Sequence, residues 1–178
     1  RLFAEEGEAL LQQYNCRGCH IISEVGGDIE PAIGRWLMDY KEFTKRDARD
    51  MAFEYSPPSL MGEGKKVQSE WLFKFLGRPD PIRPWLDVRM PTFGLDEAER
   101  NTLTKYFGSL DGQEAPFVAE IDPPLSGDWY EAGKALFALF DCGKCHIQGD
   151  TMPSGESNSW APDFERVRGR LKPEWVLE

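Results

Sequence analysis

Histidine and cysteine are scarce in this 178-residue chain, which holds two of the first and four of the second. Bases are also in the minority, 21 against 31 acids, which leaves a formal charge of −10 and a pI near 4.8. That excludes the basic face with which a nucleic-acid binder neutralises phosphates, and favours partners that present basic patches. Long apolar runs are missing as well. The longest, Ala135 to Phe140, falls far short of the roughly 18 apolar residues that span a bilayer. No secretory signal opens the chain, because Arg1 leads straight into an acidic amphipathic stretch. The chain therefore reads either as processed or as a segment of a longer protein. What remains, 40% hydrophobic and 12% aromatic, is the composition of a folding protein, either one domain or two small ones.

Every histidine and cysteine falls into one pattern, which occurs twice: Cys16-Arg17-Gly18-Cys19-His20 and Cys142-Gly143-Lys144-Cys145-His146. A zinc site wants four ligands, and a histidine directly after the second cysteine is a cramped donor set. A thioredoxin-like pair belongs in a strand–helix–strand unit, and no strand alternation flanks either motif. A disulfide framework gives no reason for histidine to follow cysteine both times. The chemistry that needs this spacing is c-type haem attachment, in which two thiols form thioethers and the adjacent imidazole binds iron. Two covalently bound haem c groups are expected, with His20 and His146 as iron ligands.

The repeat extends beyond the motifs. Phe3, Gly7, Leu10, Leu11 and Tyr14 answer to Trp129, Gly133, Leu136, Phe137 and Phe140 at an offset of 126, on one face of a helix. Matched glycines at 7 and 133 predict close helix packing at both places. Further on, Pro58-Ser59-Leu60 matches Pro162-Asp163-Phe164 at an offset of 104. Val67 with Glu70-Trp71-Leu72 likewise matches Leu171 with Glu174-Trp175-Val176. The difference of 22 residues is an insertion in the first half, at about 34–56, read as one or two extra helices. Ser69 is the expected N-cap and Gly77 the expected stop of the Trp71 helix. Asp96 with Glu99 predicts a capping box, and Gly108 the end of that helix. The expected domains are 1–112 and 128–178, joined by a proline-bearing linker at 113–127.

Helix, C-x-x-C-H, proline-containing loop, short helix, Met-Pro and a final capped helix together resemble a class I cytochrome c domain. Residues 1–110 show the whole pattern, and 128–178 its first half. The resemblance implies an all-α fold of two tandem domains, each a small helical bundle around a covalent haem. It also implies a methionine ligand just before the last helix, where Met90 stands in Arg89-Met90-Pro91, and a first-to-last helix contact, for which Gly7 and Tyr106 match. The residues bear partly on the ligand themselves. Both histidines are already used, Met38 and Met51 read as helix-face core, and Met90 lies in a Pro-flanked loop, with Met61 next in line. Pro58 and Pro162 match the family position whose carbonyl steers the proximal imidazole, and Pro31 competes with Pro58. Trp71, Trp85 and Phe93 fit either a haem wall or plain core. Arg83 and Arg89 fit either haem propionates or solvent.

The expected function is one-electron transfer by a dihaem cytochrome, in a respiratory or other extracytoplasmic chain, with redox partner proteins and a membrane complex as its context. The alternative is a dihaem enzyme of the peroxidase or thiosulfate-dehydrogenase type, for which no spare histidine supplies acid–base help. Counting from Trp175 as Met90 stands from Trp71 places a second ligand loop 16 residues beyond Glu178. Met152, six residues after His146, is therefore expected not to be a ligand.

Overall fold

The apolar spacing of 3, 7, 10 and 11 makes one helix, α1 (Leu2–Gln13), whose Leu11 is buried at 2% exposure. The computed structural model describes residues 2–113, 126–154 and 160–176, and is mostly helical. After α1 come a short hairpin of β1 (Ile21–Ile22) with β2 (Val25–Gly26), then α2 (Glu30–Tyr40), α3 (Lys45–Tyr55), α4 (Glu63–Lys66), α5 (Ser69–Gly77) and α6 (Glu97–Leu110). The second half adds α7 (Asp128–Leu139), α8 (Phe164–Arg170) and α9 (Pro173–Val176). Most of the expected linker, 114–125, lies outside the described residues. No helix among the described residues is long and apolar enough to cross a membrane.

The main core joins Leu11, Ile22, Leu72, Leu103, Tyr106 and Phe107 with their neighbours, so it gathers α1, α5 and α6 around the first motif. Helices α1 and α6 touch at Gly7, where an added Cβ would lie 2.4 Å from the Tyr106 ring. The Tyr14 hydroxyl donates to Glu99 at 2.8 Å. Glu99 also accepts from the Asp96 backbone while Asp96 accepts from the Glu99 N–H, so the capping box forms as its spacing predicts. One glutamate thus caps α6 and clamps α1 to it.

The insertion is a helical hairpin. Helices α2 and α3 bury Ile33, Leu37 and Ala48 against each other, and Trp36, Phe43 and Met51 close over them. Helix α2 starts at Glu30, a few residues before the expected insertion, because Pro31 sits in its first turn, where a missing N–H costs nothing. Met38 does not fill core; it lies on the outer face at 36% exposure.

Three local expectations need correction. Ser69 is inside α5 and the cap is Gln68, held extended because its N–H is bonded to Arg170. Gly77 is the last residue of α5, and Arg78 caps it. Helix α6 runs through Gly108 to Leu110, and Gly112, at φ 69°, ends it instead. There Gln113 N–H bonds the Gly108 carbonyl and Gly112 N–H that of Ser109, a Schellman closure that needs a left-handed residue. Gly133 departs from its partner as well, since nothing lies within 4 Å of an added Cβ. Among the described residues no helix crosses α7 as α6 crosses α1, and Trp129, Leu136 and Phe140 on the matched face are exposed.

Candidate functional site

Both motifs take one backbone shape. Asn15 (φ 50°, ψ 43°) and Asp141 (φ 55°, ψ 39°) are left-handed, which turns the chain out of α1 and α7 into a 3-10 turn over Cys16–Gly18 and Cys142–Lys144. Asparagine and aspartate are the side chains that tolerate this region best. Cys19 (φ −112°, ψ −38°) and Cys145 (φ −115°, ψ −36°) close the turns. His20 N–H bonds the Cys16 carbonyl and His146 N–H the Cys142 carbonyl, both at 2.9 Å. All four cysteines are unbridged.

The imidazoles are held alike. His20 Nδ1 lies 2.8 Å from the Pro58 carbonyl, and His146 Nδ1 lies 2.8 Å from that of Pro162. A carbonyl can only accept, so Nδ1 carries a proton, and it is the neutral ring in this tautomer that has its lone pair on Nε2. Proline suits the place because it fixes the chain that carries the carbonyl. Pro31, the rival of Pro58, is exposed on α2. Burial lowers the His20 pKa below its ordinary 6.5, which favours the neutral imidazole that binds a metal. Burial likewise pushes the Cys16 thiol above 9.0, the reverse of the lowered thiol that redox catalysis needs.

Three further contacts fix the first motif. Arg17 is paired with Glu8 of α1 through both terminal guanidinium nitrogens, one of them at 3.0 Å, and the Tyr106 hydroxyl donates to the same carboxylate at 2.9 Å. Helix, motif loop and α6 are tied at one glutamate. Below the loop, Gly26 at φ 105° passes so close that a Cβ would fall 2.5 Å from the His20 carbonyl. Gly27 N–H donates to Arg17 and Ile29 N–H to Gly18, at 2.8 and 2.9 Å. The hairpin is therefore a floor for the motif. In the second half its place is taken by a bridge from His146 to Ala161, with Ala161 N–H donating to Cys145 at 2.7 Å.

The Glu8 network sets a pH dependence. Hydrogen bonding to Arg17, above all, holds the Glu8 carboxyl below its ordinary 4.5, with Tyr106 adding to it and burial opposing. The folded form binds its proton less readily than the unfolded one. This stability is therefore present above pH 4.5 and lost as pH falls through the lower folded value. The Glu8→Gln variant should show a flatter decline in urea midpoint below pH 4.5 than the parent chain. Equal slopes would show that Glu8 is not the group.

The main core on which Cys16 packs is also lined by the partly buried Tyr14, Leu60, Trp71, Met90 and Phe93, an apolar wall in the sense that all share that core. Tyr14 and Phe93 meet edge-on at 5.8 Å, and Trp71 stacks on Phe75 at 4.8 Å. Met90 belongs to this wall. Met61 does not: it is 49% exposed, and its sulfur accepts from the Glu24 N–H at 3.3 Å. Trp85 is also elsewhere, edge-on to Trp160 of the second half at 6.1 Å. Arg83 donates to the Glu54 and Ser56 carbonyls, and Arg89 to those of Pro84 and Val88, so both tie down loops. Met152 is 52% exposed, beside the Gln148–Thr151 bridge. In the second half the His146 ring lies 4.1 Å from that of Phe164, which in turn meets Phe137.

These residues fit a covalently held haem: two free thiols on one turn, a neutral imidazole with Nε2 unengaged by the proline carbonyl, and an apolar wall that includes a thioether. They fit a bare cation less well. No group of three or more His, Cys, Asp or Glu gathers as an ion site among the described residues. Compared with family models, with curated proteins and with solved structures, the chain matches none.

Proposed function

We propose that the chain is a dihaem c-type cytochrome, with two tandem cytochrome c-like domains, that carries single electrons in an extracytoplasmic chain. One observation carries the reading. The same turn, the same two free cysteines and the same 2.8 Å bond from histidine Nδ1 to a proline carbonyl occur in both halves. When bound, haem supplies an iron that changes oxidation state by one electron.

The chain does the rest. Cys16 with Cys19, and Cys142 with Cys145, anchor the group at two points each, so that it cannot leave during turnover. The Pro58 and Pro162 carbonyls orient His20 and His146, keep Nδ1 protonated and raise the basicity of Nε2. Met90 would offer its thioether sulfur to hold the first group from its other side. The wall of Tyr14, Trp71 and Phe93 excludes water, which stabilises the less charged state of a buried centre. No proton and no substrate atom has to move.

The pyridine haemochrome of the full chain tests this, together with mass spectrometry under denaturing conditions. Two haems that survive denaturation are expected, falling to one in Cys16→Ala/Cys19→Ala and to one in Cys142→Ala/Cys145→Ala. Haem that washes out, or none, would overturn the assignment.

A further inference from the structure

The two halves meet along a short antiparallel bridge between Val67 and Leu171. Gln68 N–H donates to the Arg170 carbonyl at 2.8 Å, and Lys172 N–H donates to the Lys66 carbonyl at 2.9 Å. Under the repeat offset of 104, Val67 corresponds to Leu171, Gln68 to Lys172 and Lys66 to Arg170. Each bond is therefore the image of the other. The side chains repeat the relation: the Arg170 guanidinium lies 5.0 Å over the Trp71 ring, and Lys66 Nζ lies 5.2 Å over Trp175, its counterpart. Bonds and cation–π contacts that exchange under the repeat are the mark of an isologous contact, the kind two identical subunits make about a twofold axis. Here one chain supplies both partners.

Side chains secure the bridge. Gln68 Nε2 donates to the Arg168 and Leu171 carbonyls, and Lys172 Nζ to that of Gly64 at 2.7 Å. Val67, Gln68 and Glu63 are 2%, 4% and 5% exposed, so the contact is dry at its centre. Glu63 reaches Arg170 across it at 3.6 Å. The patch also borders both candidate sites. Trp71 belongs to the wall shared with Cys16 and Met90, and α8 begins two residues after the Pro162 carbonyl that holds His146.

We propose that this self-complementary patch is the electron junction of the molecule, docking the two halves as a twofold pair so that the centres at His20 and His146 exchange electrons across it. The proposal rests on the dihaem reading above. The step balances on its own: one electron leaves the reduced centre and arrives at the oxidised one, with no bond made, no proton moved and no third reagent.

Gln68→Pro, in the full haem-loaded chain, is the decisive variant. Gln68 has φ −67°, which proline adopts unstrained, and Val67 at ψ 150° suits the residue before a proline. The change deletes the N–H bonded to Arg170, sets ring carbon against that carbonyl, and removes both side-chain bonds. Lys172→Pro is its image from the other half and stands alone if Gln68→Pro does not fold. Three quantities are read: haem count, hydrogen-exchange protection of the amide at Lys172 (Gln68→Pro) or Gln68 (Lys172→Pro), and the rate at which the two centres re-equilibrate after one is photoreduced. Each variant should keep two haems, lose the protection and slow the exchange at least tenfold. A rate within twofold of the parent despite lost protection would overturn the junction, and so would a slowed rate with protection intact. Failure of the dihaem reading would already appear in the haem count of the parent chain, before any rate is taken.

Discussion

Gly7→Ala should destabilise the first half by about 2 kcal/mol, within the range for forcing extra volume into a packed contact. The added methyl would lie 2.4–2.5 Å from three carbons of the Tyr106 side chain, and Tyr106 is 3% exposed, with its hydroxyl held by Glu8. The ring cannot swing aside without breaking that bond, so α1 and α6 must separate. Gly133→Ala, at the matched place, meets nothing within 4 Å. It should stabilise α7 by up to about 1 kcal/mol, because alanine is the better helix former. Thermal unfolding of both variants checks the contrast. At roughly 4–8 °C per kcal/mol for a small domain, the first midpoint should fall by on the order of 10 °C while the second holds or rises. Equal effects would mean that the helices do not cross at Gly7, or that another element covers Gly133 in solution.

Met90→Ala should leave haem attached through Cys16 and Cys19 and abolish the methionine–iron charge-transfer band of that centre. A thioether ligand favours the reduced iron and raises the potential relative to bis-histidine ligation. Its removal should lower that potential by a sizeable part of the roughly 0.8 V over which axial ligands set haem potentials. The freed position at that centre should then bind small ligands such as cyanide. Met61→Ala is the control. Its sulfur faces the Glu24 N–H from an exposed loop, so the spectrum should not change. An unchanged band in Met90→Ala would sink the assignment, and loss of the band in Met61→Ala would transfer it. Redox titration with optical detection reads both effects in one experiment.

The candidate site is legible in the sequence because its determinants are local. Cys-x-x-Cys-His, a left-handed Asn or Asp before it and an amphipathic helix leading in are all consecutive, and each half repeats them. The proline whose carbonyl meets each imidazole is farther off, 38 residues in one half and 16 in the other. It is reached through the family resemblance, and aligning the halves favours Pro58 over Pro31. Helix ends were less legible. Ser69 is a good cap by composition, yet Gln68 takes the position because a partner from the other half draws its N–H away from the helix. Gly108 looks like a stop, but α6 runs on to Leu110 and is closed by Gly112, where the backbone has the positive φ that a terminating glycine supplies. Met38 has core spacing and lies outside, because the α2–α3 pair needs only one face of each helix.

The sequence by itself determined the helical class, the internal repeat and the two Cys-x-x-Cys-His motifs, since periodicity, spacing and residue chemistry act within a few residues of each other. Tertiary structure alone decided which equal-looking residues have equal surroundings. Gly7 is filled by Tyr106 and Gly133 is open; Trp71 joins a wall while Trp85 turns to Trp160. It alone also decided how the halves join, because a contact between residues 67 and 171 rests on backbone donors and acceptors. Every residue but proline offers both groups, so no side-chain pattern announces which of them will meet.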